Sequence, residues 1–165
     1  RGTPHGDRTL MVVWLFLHIL GFGLWLGGGI ALLLNGLAAD KEGRPALELI
    51  LRLQSGIARI VVAPGALLTT LSGLMLTFGN IHSPTMGNPW MAAMQGLGIL
   101  AALLTLSISV PAAARLARLD PMGQHAAFVD RLRKRQRLVG LVSLAMGLVA
   151  LLGGAMYRYG GGGGG

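Results

Sequence analysis

Three long stretches without any charged side chain constrain this 165-residue sequence more than any other feature. They cover residues 9–39, 60–114 and 138–157, which are 31, 55 and 20 residues long. A helix needs about 20 apolar residues to cross the roughly 30 Å hydrocarbon core of a bilayer. The first and third stretches supply one span each, and the middle stretch supplies two because polar residues 80–89 interrupt it. We predict four membrane-spanning helices, at residues 9–38, 60–79, 89–114 and 138–157.

The composition excludes most classes of soluble protein. Only 12% of the residues are charged and the mean hydropathy is +0.63, whereas soluble domains carry about 25% charged residues. The sequence contains no cysteine, which excludes disulfides, thiolate metal sites and cysteine nucleophiles. The basic residues that give the net charge of +8 lie in segments between long uncharged runs, as in a membrane protein, so we do not expect a nucleic-acid partner. We predict an all-α, polytopic membrane protein, in which residues 1–159 form one antiparallel four-helix bundle and glycines 160–165 form a tail without a site.

The distribution of lysine and arginine predicts how the bundle is oriented. Of the 14 basic residues, 11 fall in the two connections at residues 39–59 and 115–137. The positive-inside rule places both connections in the cytoplasm and both termini on the outer side. Four aromatic residues fall at the predicted outward ends of the spans, as in an interfacial belt: Trp14, Trp90, Tyr157 and Tyr159.

Both basic connections contain segments with helical periodicity. Residues 45–58 have apolar positions at helical spacing, which predicts an amphipathic extension of the second span. Pro64 is expected to kink that helix near the membrane surface. Residues 128–137 are expected to extend the fourth span. Their basic patch either marks the topology on a solvated face or attracts anionic lipids or an acidic partner; it consists of Arg131, Arg133, Lys134, Arg135 and Arg137.

His18 is the one histidine within the predicted spans, which contain no Asp, Glu, Lys or Arg. The lack of those charges argues against a proton relay, an ion-coupled carrier or an intramembrane hydrolase. His18 lies roughly 14 Å into the first span at 1.5 Å per residue. A neutral imidazole there can ligate haem iron or copper, bind a quinone oxygen, or satisfy a neighbouring carbonyl. The sequence leaves these roles open.

Small residues recur at spacings that suit close packing of helices. Gly23 and Gly27 form a GxxxG pair on the first span, and Ser143 and Gly147 form a small-xxx-small face on the fourth. The dense glycine of the first span can instead leave room for a flat ligand. A third face of small residues, on the second span, consists of Thr69, Ser72 and Gly73.

Methionine and histidine are concentrated in the predicted outward half of the chain. Thioether and imidazole groups are ligands for copper(I), and a His–Met pair is one way of ligating haem. Methionine is also a common gap filler in apolar packing. The candidate haem partners of His18 are Met75 and Met94, and the candidate copper ligands are His82, Met86 and Met91.

Residues 14–34, WLFLHILGFGLWLGGGIALLL, resemble the first helix of a bacterial four-helix integral membrane family. That helix typically has an aromatic residue, a few apolar residues, a histidine and then a stretch rich in glycine and tryptophan. The family includes the membrane part of copper-resistance protein D, the J-type protoporphyrinogen oxidase and uncharacterised members. The matching residues of the first helix are His18, Trp25, Gly27 and Gly28, and residues 65–79, 88–100 and 109–119 resemble later parts of the family pattern.

The resemblance implies a multi-pass protein of the bacterial inner membrane, with His18 as a ligand of haem b. The oxidase branch of the family also carries a lysine on its third helix, in a Trp-x-x-x-Lys context. Here Trp90 is followed by Met-Ala-Ala-Met-Gln, which argues against protoporphyrinogen oxidation.

Three functions are compatible with the sequence. The first is a non-catalytic accessory or structural subunit of a larger bioenergetic complex, respiratory or photosynthetic, with membrane lipids and other integral membrane subunits as partners. The second is a haem-binding redox protein or protoporphyrinogen-oxidase-like enzyme that uses His18. The third is copper handling at the outer face. The lack of charges within the spans and the glycine-lined faces favour the first.

Overall fold

A computed structural model describes residues 4–41, 44–78, 88–121 and 124–160. Every regular element within these ranges is helical. In chain order the elements are α1 (Pro4–Lys41), α2 (Arg44–Ile57), a first π-helical turn (Ala58–Val62), α3 (Ala63–Phe78), α4 (Pro89–Leu104), a second π-helical turn (Thr105–Ser109), α5 (Val110–Leu116) and α6 (Ala126–Gly160).

Four helical segments are long and apolar enough to cross a membrane, which confirms the predicted number. Each is longer than the predicted span because its flanking sequence stays helical. The amphipathic extension predicted at residues 45–58 is helical and leads through the first π-helical turn into α3. The four segments are Arg8–Lys41, Ala46–Phe78, Pro89–Leu116 and Ala126–Tyr157.

Each π-helical turn lies just before a proline. Ala63 donates its backbone N–H to the carbonyl oxygen of Ala58, five residues earlier, and Pro64 follows directly. The same arrangement recurs before Pro111. A proline ring clashes with the carbonyl group four residues earlier and has no N–H to donate. A turn that is one residue wider accommodates the ring while the helix continues. A π-helical turn therefore precedes Pro64, and the kink expected there stays a prediction.

Helices α1 and α3 approach each other so closely that their contact requires glycine. A Cβ atom added at Gly65 would lie 2.6 Å from the backbone nitrogen of Trp25 and 2.9 Å from the carbonyl oxygen of Gly21. One added at Gly21 would lie 2.7 Å from the backbone nitrogen of Thr69. Small residues at an interface let helix backbones meet in this way.

Helices α4 and α6 form a second close pair. A Cβ atom added at Gly153 would lie 3.3 Å from the carbonyl oxygen of Trp90, and one added at Gly154 would lie 3.0 Å from the sulfur of Met94. The α1–α3 and α4–α6 pairs meet in a buried apolar cluster, which consists of Trp25, Val62, Ala66, Ala101 and Ala102.

A second apolar cluster holds together the part of the molecule in which basic residues are concentrated. This part, here called the basic end, comprises the C-terminal end of α1, α2, α5 and the N-terminal part of α6. Burial of apolar side chains fixes the amphipathic α2 and the start of α6 to the longer helices. The buried members of this cluster are Ala39, Leu47, Leu51, Leu116 and Val129.

Candidate functional site

His18 connects α1 to α3 through its imidazole ring. The Nδ1 atom lies 2.8 Å from the carbonyl oxygen of Thr69, and the hydroxyl oxygen of Ser72 lies 3.4 Å from the same nitrogen. Ser72 donates its own hydroxyl proton to the carbonyl of Leu68. A Cβ atom added at Gly73 would lie 2.9 Å from Cε1 of His18, so the glycine makes room for the ring.

The hydrogen bond to Thr69 identifies which tautomer a neutral His18 adopts. A carbonyl oxygen only accepts, so Nδ1 is the donor in this bond, and in a neutral ring Nε2 is then the nitrogen with the free lone pair. Histidines that ligate metals commonly donate their other N–H to a backbone carbonyl in this way. A histidine with a purely structural role can make the same bond. The geometry is therefore compatible with both a ligand role and a structural role for His18.

The two candidate haem partners of His18 lie in different helix pairs. Met75 is on α3, which packs against α1, and 43% of it is exposed. Met94 is on α4 and packs against Gly153 and Gly154 of α6. Haem ligation by His18 with either methionine stays a prediction.

The candidate copper site falls largely outside the described residues. His82 and Met86 lie in residues 79–87, which the structure does not describe, and Met91 lies half-buried in the first turn of α4. Within the described ranges, no three His, Cys, Asp or Glu side chains group in a way that could hold a metal ion. Copper binding by His82, Met86 and Met91 stays a prediction.

The predicted small-residue faces have different surroundings. Ser143 and Gly147 of α6 are buried, and a Cβ atom added at Gly147 would lie 3.6 Å from Leu26 of α1. A Cβ atom added at Gly23 or Gly27 would meet nothing within 4 Å. The glycines of α1 that touch α3 and the first π-helical turn are Gly21 and Gly28.

An interhelical cavity of about 90 Å³ lies between α1 and α6. Its walls also include residues of α2 and of both π-helical turns. Trp25 donates its Nε1 proton to the hydroxyl oxygen of Thr105 at 3.2 Å, and Thr105 donates to the carbonyl oxygen of Ala101 at 2.9 Å. The volume is several times the 10–15 Å³ or so that one water molecule needs.

Two serine hydroxyl groups line this cavity without a hydrogen-bond partner among the described residues. They belong to Ser109, in the second π-helical turn, and to Ser143 of α6, and both side chains are more than nine-tenths buried. A buried hydroxyl group without a partner costs about 1–3 kcal/mol. The cavity therefore favours occupants that hydrogen-bond, water included.

The cavity reaches the basic end at an ion-pair cluster. Arg133 and Arg137 of α6 donate to the two carboxylate oxygens of Asp40, at 2.9 and 2.6 Å. Arg137 also donates to the carbonyl oxygen of Gly36 at 3.1 Å. Two members of the predicted basic patch thus hold α6 against α1, and the exposed members are Arg131, Lys134 and Arg135.

The sequence contains a signal for this cavity, which was missed at Thr105 and Ser109 and was interpreted at Ser143 only as helix packing. Thr105, Ser109 and Ser143 are polar residues inside otherwise apolar spans. Polar side chains at membrane depth usually face the interior of a bundle or a water-filled cavity. Thr105 and Ser109 are four residues apart, so they lie on one side of the same helical segment, and both line the cavity.

Comparison of the chain with protein-family models, with curated proteins and with solved structures finds no match.

Proposed function

We propose that this chain is a non-catalytic accessory subunit of a larger bioenergetic complex, respiratory or photosynthetic, in a bacterial inner membrane. In this proposal its four helices form an antiparallel bundle with the basic end in the cytoplasm and both termini outside. Its partners are membrane lipids and other integral membrane subunits. The family resemblance of residues 14–34 supports the bacterial origin.

The observation that carries this proposal is the open position of Gly23 and Gly27 on α1. Helical glycine is less stable than alanine by roughly 0.5–1 kcal/mol, because it loses more conformational freedom. Gly21 and Gly28 offset that cost through contacts within the chain, whereas a Cβ atom at Gly23 or Gly27 would meet nothing. A GxxxG pair of this kind suits the close approach of a helix from another chain.

Exposed apolar residues continue the GxxxG pair along the same face of α1. Leu20 lies before the pair and Ile30 and Leu34 lie after it, all at helical spacing. These side chains are 42%, 43% and 60% exposed. Together with Gly23 and Gly27 they form a face that we call the GxxxG face. Its two glycines leave a shallow groove between larger side chains, which is the shape that a crossing helix fills.

Extraction of native membranes in a mild detergent tests this proposal. We expect the chain to migrate on a native gel with a complex several times its own mass, 17.2 kDa. Mass spectrometry of that band is expected to identify other integral membrane subunits. A chain that migrates alone under conditions in which known membrane complexes stay intact would contradict the proposal.

The geometry of His18 favours a second candidate function, a haem-binding redox protein. The observation in its favour is the bond from Nδ1 to the carbonyl oxygen of Thr69, because in a neutral imidazole this bond leaves the Nε2 lone pair free to ligate iron. The test is the absorption spectrum of the purified protein, oxidised and reduced. A haem signal that is lost in H18A and kept in H125A, the exposed histidine before α6, would favour this function over the first.

A further inference from the structure

A groove of about 160 Å³ lies between α5 and α6 at the basic end. The second π-helical turn contributes Ser107 and Ile108 to it, and α5 contributes Arg115. From α6 come Leu132, Arg135 and Gln136. Two guanidinium groups, from two different helices, therefore share one groove with two neutral hydrogen-bonding side chains and an apolar strip.

The two arginines of this groove differ from Arg52, Arg133 and Arg137, which form ion pairs with carboxylates. Arg52 pairs with Glu48 at 2.7 Å, and Arg133 pairs with Asp40 as described above. Within the described part of the chain, neither Arg115 nor Arg135 has an ion-pair partner, and no carboxylate lines the groove. The side chains that line the groove therefore carry a formal charge of +2.

We propose that this groove binds the phosphate group of an anionic phospholipid. Guanidinium groups bind phosphate oxygens through paired, charge-assisted hydrogen bonds. The hydroxyl of Ser107 and the amide of Gln136 can add further donors. Basic pockets between transmembrane helices at their cytoplasmic ends are known positions for anionic headgroups. The site specifies the lipid partner of the proposed function and rests on the proposed cytoplasmic position of the basic end, whereas the accessory role rests on the GxxxG face.

The apolar residues of the groove argue for a lipid rather than free phosphate. Ile108 belongs to Pro89–Leu116, one of the four segments able to cross a membrane, so the groove extends from the arginines toward the apolar part of that segment. Ile108 and Leu132 can contact the glycerol and the first acyl carbons of a lipid whose phosphate lies at Arg115 and Arg135. A lipid with two phosphate groups matches the charge of +2 best.

Native mass spectrometry of the full chain in detergent, with defined lipids, tests the site. The probes are diphosphatidylglycerol, phosphatidylglycerol and phosphatidylcholine. The test variant is R115Q/R135Q, and the matched control is R118Q/R131Q, which removes two exposed arginines outside the groove. Both variants lose the same net charge, so they separate a specific site from general attraction of a basic surface.

We expect diphosphatidylglycerol to bind tightest and phosphatidylcholine weakest. R115Q/R135Q is expected to weaken diphosphatidylglycerol binding by about tenfold and the control by less than about twofold. Equal losses in the two variants, or equal binding of all three lipids, would overturn the proposal. So would full competition by inorganic phosphate at millimolar concentration, because it would identify a site for the free ion.

A second measurement leaves both arginines in place. The native chain has no cysteine, so S107C introduces a single thiol at the groove. In nanodiscs, diphosphatidylglycerol is expected to slow modification of this thiol by a water-soluble reagent, relative to phosphatidylcholine. The matched control is Q124C, at an exposed position just before α6. Equal rates at S107C in both lipids would contradict occupancy of the groove by the anionic headgroup.

Discussion

The Nδ1 atom of His18 lies 2.8 Å from the carbonyl oxygen of Thr69, and this bond joins α1 to α3 without any charged group. Side-chain hydrogen bonds between membrane helices contribute on average about 0.6 kcal/mol, and up to about 1.7 kcal/mol. In a neutral imidazole the same bond leaves Nε2 of His18 with a free lone pair. A single residue can therefore hold two helices together and present a ligand atom.

Replacement of His18 by alanine is expected to lower the free energy of unfolding by about 0.5–2 kcal/mol. The cause is the loss of the bond to Thr69 and of the ring that fills the space beside Gly73. Reversible unfolding in mixed micelles measures this difference, with H125A as the control. Unchanged stability in H18A would show that the bond to Thr69 has no structural role.

Gly65 is the position at which a single added methyl group should be most harmful. In G65A the new Cβ atom would meet two backbone atoms, the nitrogen of Trp25 and the carbonyl oxygen of Gly21, neither of which can rotate away. We expect a loss of about 1–3 kcal/mol, as for other overpacked sites. The control G98A places a methyl group in open space and is expected to be neutral or stabilising by up to about 1 kcal/mol. Similar unfolding free energies for G65A and G98A would contradict the close α1–α3 contact.

The cavity between α1 and α6 predicts a pattern of thiol reactivity. Single-cysteine variants S109C and S143C are expected to react with a small water-soluble thiol reagent about ten times faster than S72C. Ser109 and Ser143 line the cavity, whereas Ser72 is fully buried between α3 and His18 of α1 and donates to the carbonyl oxygen of Leu68. Equal and slow modification at all three positions would show that water does not reach the cavity.

The ion pairs of Asp40 are expected to make a small, salt-dependent contribution to stability. D40N removes the partner of both Arg133 and Arg137, and a loss of about 1 kcal/mol is expected at low salt because the pairs are partly exposed. The control E48Q removes a single exposed pair within α2 and should cost about 0.3 kcal/mol. Unfolding at low and high ionic strength measures both, and a D40N effect that is insensitive to salt would contradict this interpretation.

The number of apolar helices could be predicted from the sequence because it depends only on the lengths of the charge-free runs. The rotation of each helix about its axis could not. The GxxxG pattern identified Gly23 and Gly27, but the glycines at the contact between α1 and α3 are Gly21 and Gly65. These two lie on different helices, so no spacing along one helix pairs them. Spacing along one helix identifies a face; which neighbour that face meets depends on the packing of the whole chain.

The cavity was harder to predict because its walls come from residues that are far apart in sequence. Trp25 of α1, Ser109 of the second π-helical turn and Ser143 of α6 line it together, and no spacing along one helix indicates that they meet. The pairing of Asp40 with Arg133 and Arg137 joins residues that are far apart in sequence. The sequence showed the basic patch as a cluster of positive charges, but only the structure showed which of its arginines form ion pairs.

The most direct test of the accessory role is the effect of filling the GxxxG face on the native complex. G23L/G27L adds two large side chains where the structure leaves open space, so the isolated chain should fold as before. The matched control G96L/G140L adds the same side chains at open positions on α4 and α6. We predict that G23L/G27L is lost from the large native complex, while the control stays bound. Retention of G23L/G27L in the complex, at the level of the control, would contradict the proposed docking of a partner helix on α1.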